Sequence, residues 1–78
     1  MNLDMTLTLR VEAFAGVDIA DAAVDLCRLA DRVGILCELP FNDVKLWARP
    51  GNDPQKLVEA FHEQLKRPKE HYKIAMVA

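Results

Sequence analysis

The sequence has little of several features that would assign a function directly. Its 78 residues include two cysteines, two histidines, three glycines and one tryptophan. A secreted domain of this size usually carries more cysteines, in pairs, so Cys27 and Cys37 are predicted to be reduced thiols. With no histidine near them in sequence they do not form a zinc pattern, because a closed zinc site needs four ligands. We therefore expect neither a metal nor a cofactor.

An excess of one charge and a long apolar run are also missing. Ten basic residues against twelve acidic ones give a formal charge of -2, which lacks the basic excess that attracts nucleic acid or anionic lipid over a distance. No segment is long enough to span a bilayer, and no basic region precedes an apolar stretch at the N-terminus. We expect a cytoplasmic protein with no membrane partner. We also expect one domain over residues 1–78, small enough to gain stability by forming a homodimer.

Two periodic patterns open the chain. From Met5 to Ala13 apolar residues alternate with polar ones, the period-2 pattern of a half-buried strand. Asp18 then stands at a helix N-cap position, and Gly34 is suited to follow the helix end in a left-handed conformation. Between them, apolar residues recur at three- and four-residue steps and predict a helix over 19–33. Its expected core-facing residues are Ile19, Ala22, Ala23, Leu26, Leu29, Ala30 and Val33.

Two further alternating runs, 35–41 and 44–48, flank the pair Asn42-Asp43. A two-residue loop of Asn and Asp tolerates positive φ and predicts a hairpin with a type I′ turn. The register set by this two-residue loop places the apolar residues of both strands on one face. In that register Phe41 lies opposite Val44, Leu39 opposite Leu46, and Cys37 opposite Ala48.

The second helix follows a loop. Asp53 is suited to cap it, with Pro54 at the first helical position, where the missing N–H costs least, and Pro68 ends it. Its expected buried residues are Leu57, Val58, Ala60, Phe61 and Leu65. The tail 71–78 is ambiguous, because Tyr72 and its neighbours alternate like a strand while Lys, Ala and Met favour a helix. We predict a strand there.

These elements predict an α+β fold in which two helices pack on one face of an antiparallel sheet, in the order βαββα(β). With the final strand, the order is that of the ferredoxin-like split βαβ. Without it, the chain is βαββα with an extended arm.

The hairpin register turns a second set of side chains away from the helices, and Trp47 is among them. The stems of neighbouring cations could shield the indole, a homodimer or another protein could cover it, or single-stranded nucleic acid could stack on it. An RNA-recognition sheet usually offers more aromatics than this. The candidate binding residues on this face are Arg10, Leu36, Glu38, Lys45, Trp47 and Arg49.

Catalytic residues are not indicated. His62 and His71 lack a partner at a useful spacing, and general acid–base catalysis needs a second positioned group. A reactive thiol needs an exposed, cationic environment, whereas Cys27 and Cys37 fall where small apolar residues pack. We therefore predict that the protein is not an enzyme.

The stretch 22–78, with LADRVGI, LPFNDVKLWARPGNDP and LKRPKEHYKIA, resembles small uncharacterised proteins encoded by bacteriophages and prophages, which carry similar FNxVxLxAxPGxDP segments. Where such sequences often have Asn-Gly, this one has Asn42-Asp43. The resemblance brings no established activity and no functional residues. It implies a phage accessory role in a bacterial cytoplasm, and it favours binding of a host protein over catalysis.

The leading hypothesis is a non-enzymatic protein-interaction module, homodimeric, that binds a host or phage protein through the sheet face around Trp47 and Arg49 or through a free edge strand. One alternative is single-stranded nucleic-acid binding on the same face. Another is an anti-defence protein that sequesters a nucleotide signal in an oligomer pocket.

Overall fold

The computed structural model describes residues 7–67 and 73–77, which form two helices and a four-stranded sheet. Both helices contribute to one apolar core on a single face of the sheet, so the predicted α+β arrangement is confirmed. None of the helices in these ranges has the length and apolar character needed to cross a membrane. In chain order the elements are β1 (Leu9–Arg10), α1 (Ile19–Val33), β2 (Cys37–Phe41), β3 (Val44–Ala48), α2 (Pro54–Leu65) and β4 (Ile74–Met76).

The sheet is mixed, with the strands in the spatial order β1-β2-β3-β4. β2 and β3 are antiparallel, whereas β1–β2 and β3–β4 are parallel. The prediction of an antiparallel sheet is wrong in this respect, because alternation sets the face of a side chain but not the direction of the neighbouring strand. The split βαβ order is also excluded, since it needs a strand between β1 and β2. The connections β1-α1-β2 and β3-α2-β4 both join parallel neighbours through a helix on the same face. Because β3 and β4 run opposite to β1 and β2, the two crossovers have opposite hands, so one of them is the uncommon left-handed kind.

The β2–β3 hairpin has the predicted register: Phe41 pairs with Val44, Leu39 with Leu46, and Cys37 with Ala48. The turn type differs from the prediction. Asn42 has a φ of 57° and Asp43 does not have a positive φ, whereas a type I′ turn needs positive φ at both positions. The φ signs are those of type II′. Asn and Asp tolerate both signs of φ, so residue type alone does not decide how many of the two positions adopt a positive φ.

The helix ends follow the sequence signals with one exception. The side chain of Asp53 accepts a hydrogen bond from the Gln55 N–H at 3.0 Å, and Pro54 is the first helical residue of α2. Gly34 follows α1 with a φ of 75°, and its N–H donates to the Ala30 carbonyl at 2.8 Å. Asp18 occupies the N-cap of α1 but its side chain makes no capping hydrogen bond.

The core lies between the two helices and the inner face of the sheet. The aromatic ring of Phe61 meets Phe41 edge-on, with ring centroids 5.6 Å apart. Val33 and Leu65, which were expected to be buried, are exposed in the last turns of their helices. The largest fully buried side chains are Leu26, Cys37, Val44, Leu46 and Leu57.

β1 is much shorter than its sequence pattern suggested. It has two residues. The N–H groups of Leu9 and Val11 donate hydrogen bonds to the carbonyls of Leu36 and Glu38. Neither helix packs against β1, and Leu9 remains 36% exposed. Of the described part of this pattern, only Leu9 and Arg10 form a strand, and Val11 is the residue that packs against the core. Met5 and Thr6 lie outside the described residues.

The tail strand is confirmed as β4, which pairs with β3. Ala75 is fully buried in the core, so β4 completes the apolar inner face of the sheet. The expectations for Pro68, His71, Tyr72 and Ala78 lie outside the described residues.

Candidate interaction surface on the outer side of the sheet

The outer side of the sheet, away from both helices, carries two rows of side chains. The strand registers align Arg10, Glu38, Trp47 and Met76 in one row that crosses all four strands. A second row crosses three strands beside it. We call the two rows together the open face; its residues are Arg10, Glu38, Pro40, Lys45, Trp47, Ile74 and Met76.

The side chain of Glu38 on β2 contacts residues of both neighbouring strands, β1 and β3. Its Oε1 accepts a hydrogen bond from the Trp47 Nε1–H at 3.0 Å, and its Oε2 lies 2.9 Å from a guanidinium nitrogen of Arg10. Oε2 makes no aligned hydrogen bond with the described residues, so the Arg10 contact is an ion pair. Glu38 is only 6% exposed, and a buried carboxylate needs such partners to offset its lost hydration.

These contacts fix the orientation of Trp47. The indole N–H is already satisfied by Glu38, and the residue remains half-buried on a side of the sheet that neither helix covers. A satisfied indole can take apolar contacts on its ring without leaving its N–H unpaired. The predicted outward direction of Trp47 therefore agrees with the structure, and its polar edge has a specific partner.

The other predicted binding residues differ in how much surface they offer. Lys45 is half-buried in the second row, between Pro40 and Ile74. Arg49 is exposed but lies one residue beyond β3, and its N–H donates to the Asn52 side chain at 2.8 Å. Arg49 thus starts a loop rather than standing in a row of the sheet.

Two of the predicted residues are buried rather than displayed. Leu36 precedes β2 and is 9% exposed, while its carbonyl accepts from the Leu9 N–H at 3.0 Å. Glu38 is covered between Trp47 and Arg10. Period-2 alternation assigned Glu38 to the side of Trp47, in agreement with the register, but alternation does not show whether neighbouring side chains cover a residue.

The candidate list from the sequence missed Ile74 and Met76. Both are half-buried, and β4 places Met76 beside Trp47 and Ile74 beside Lys45. Their alternation around Ala75 was visible in the sequence. The position of Met76 beside Trp47 was not visible there, because β4 pairs with β3 only after the chain has passed through the whole of α2.

The cysteines have the environment of core residues. Burial, with Asp31 and Asp53 nearby, raises the pKa of Cys27 to about 11, and burial raises the pKa of Cys37 as well. Both thiols are free and stay protonated at neutral pH, which makes them weak nucleophiles. Their packing as small apolar residues agrees with the structure.

His62 is exposed on α2, with its ring centroid 5.5 Å from that of Phe61. In ranges 7–67 and 73–77, no three or more His, Cys, Asp or Glu side chains are grouped so that they could hold a metal ion.

Comparison with known proteins gives no match. No protein-family model fits the chain, and neither a curated protein nor a solved structure matches it.

Proposed function

We propose that the chain is a non-enzymatic protein-interaction module that binds through the open face, with a second copy of itself as the partner. The observation that carries this proposal is the half-buried Trp47, which is held by Glu38 beside Met76 on the side of the sheet that neither helix covers. Aromatic residues, methionine and arginine are enriched at the centres of protein interfaces. The open face combines all three in one row.

The order of the first row makes a symmetric dimer reasonable. In a face-to-face dimer with a twofold axis parallel to the strands, β1 of one protomer lies across β4 of the other. Arg10 at one end of the row then approaches Met76 and Trp47 at the other end, rather than a second Arg10. A guanidinium placed over an indole ring makes a favourable cation–π contact. The Arg10 side chain is already positioned by its ion pair with Glu38.

The charge of the open face supports a protein partner over nucleic acid. Arg10 is paired with the Glu38 carboxylate, which neutralises the positive charge that would otherwise attract a phosphate. Pro40, Ile74 and Met76 add apolar surface around Trp47. The resemblance to phage and prophage proteins supports an accessory role in a bacterial cytoplasm, with a host protein as a further partner of the same face.

Sedimentation velocity tests the proposal with a matched pair at one position. At about 100 μM even a micromolar dimer is well populated, so the wild type and Met76→Leu should sediment as dimers. Met76→Lys places an unpaired cation in the interface and should sediment as a monomer. Leu65→Ala, which shortens an exposed side chain on α2, should remain dimeric.

Circular dichroism should show that Met76→Lys stays folded. A folded Met76→Lys variant that still dimerises would overturn the proposed interface, and so would a wild type that stays monomeric. Trp47 is the single tryptophan, so its emission reports on this face directly. If the wild type is monomeric and an oligonucleotide quenches the Trp47 emission in a salt-sensitive way, nucleic-acid binding becomes the function assigned to this face.

A further inference from the structure

A second surface that neither helix covers lies on the helix side of the sheet, beside α1 and the residues that follow β1. α1 packs over β2 and β3, and α2 over β3 and β4, so the helix layer leaves β1 open. The opening forms an apolar groove of about 260 Å³ between α1 and the segment that follows β1. Phe14 stands at its border and is 90% exposed. The larger apolar residues that line the groove are Val11, Phe14, Val17, Leu26, Leu29 and Leu39.

Carboxylates border this apolar groove. Glu12 and Asp25 are part of its lining, and Asp18 and Asp21 lie in the adjoining concavity, which shares Asp25 and also contains Arg28. All four carboxylate residues are exposed. None of them makes an ion pair or a side-chain hydrogen bond with the described residues. The groove therefore combines an apolar floor with negative charge that has no partner within the described chain.

We propose that this groove binds an amphipathic helix of a partner protein, with apolar anchors on one face and lysine or arginine beside them. The groove lies along the side of α1 that faces away from α2, where a third helix would extend the helix layer. Its volume is below the roughly 300–1,000 Å³ of typical small-molecule pockets and suits one or two inserted side chains. The carboxylates attract a basic flank and repel an acidic one.

A second copy of this chain fits the groove less well than a basic partner. In a symmetric dimer that meets groove to groove, it would bring the same four carboxylates to the interface, and the chain carries a formal charge of -2. Like charges placed across an interface oppose association. The groove and the open face lie on opposite sides of the sheet, so this inference is independent of the proposed dimer.

Two synthetic peptides test the inference. They share one amphipathic helical pattern with leucine anchors, and they differ only in having lysine or glutamate at every polar position. The lysine peptide should bind the full chain, with NMR shift changes at Phe14 and Leu29 and weaker affinity as salt rises. The glutamate peptide should bind about tenfold more weakly or not at all. Equal binding of both peptides, or shift changes centred on Trp47, would overturn the proposal.

A matched pair of charge reversals separates the local effect from net charge. Asp25 and Glu59 are both exposed helical residues, on α1 and α2. Asp25→Lys should weaken the lysine peptide about tenfold, whereas Glu59→Lys, with the same change in net charge, should have less than about a twofold effect. Equal effects would contradict a local acidic border.

Phe14→Gln identifies the occupant. It removes the aromatic anchor without adding charge, so it should reduce binding of the lysine peptide without changing the sedimentation of the chain. If Phe14→Gln instead converts a wild-type dimer into a folded monomer, the groove is a self-association site and the proposal of a basic partner is overturned.

Discussion

The two sides of β2 and β3 bury their side chains by different means. On the inner side, Cys37, Val44 and Leu46 are covered by the two helices, and apolar contacts supply the stability. On the outer side, Glu38 reaches a similar degree of burial between Trp47 and Arg10. Apolar packing gains little from any single atom pair, whereas a buried carboxylate depends on a few specific partners. The two sides should therefore respond differently to substitution.

The largest effect is expected on the inner side. Leu46 is fully buried at the centre of β3, so Leu46→Ala should lower the free energy of unfolding by about 2–5 kcal/mol through lost contacts and a cavity. Leu65→Ala removes the same atoms from a residue that is 44% exposed and should cost less than about 1 kcal/mol. Urea denaturation measures both, and similar losses would contradict the assigned core.

A smaller effect is expected where the hydrogen bond of the outer side is cut. Trp47→Phe removes the N–H that donates to the nearly buried Glu38 and should cost about 1.5–3 kcal/mol. Adding Glu38→Leu removes the carboxylate whose Oε1 has lost its donor, and the double variant should recover most of that loss. A double variant less stable than Trp47→Phe would show that Glu38 stabilises the sheet by some other contact.

The ion pair on the same carboxylate should matter less. The side chain of Arg10 is 66% exposed, and solvent screens such a pair, so Arg10→Met should cost less than about 1 kcal/mol. The loss should shrink further at high salt. Urea denaturation at two salt concentrations measures it, and a salt-independent loss would point to packing by the arginine stem instead.

The smallest effect at neutral pH concerns the thiol of Cys27. Its folded-state pKa is raised from 9.0 to about 11, so below pH 9 the thiol is protonated in both states and contributes no pH dependence. Between pH 9 and 11 it ionises first in the unfolded chain, and the free energy of unfolding should fall as the pH rises. In Cys27→Ala this part of the fall should be missing. Identical pH profiles for the two proteins would contradict the raised pKa.

The sequence predicted best what depends on neighbouring residues. The bounds of α1, the cap of α2 by Asp53 and the register of the hairpin are all confirmed, because each is set within one element or across one tight turn. The turn type was wrong, since backbone angles at Asn42 and Asp43 are not determined by residue type alone. Of the candidate site, the outward direction of Trp47 was predicted, whereas its contact with Glu38 was not.

The sequence by itself determined which side of each element is apolar, through periods of two and of three to four residues, and it determined how β2 meets β3. Only the tertiary structure decided that β1 runs parallel to β2, that β4 brings Met76 beside Trp47, and that the helices leave β1 uncovered. The reason is physical. Periodicity is a local property of the chain, whereas the direction and neighbours of β1 and β4 depend on contacts across α1 and α2, which no short stretch of sequence encodes.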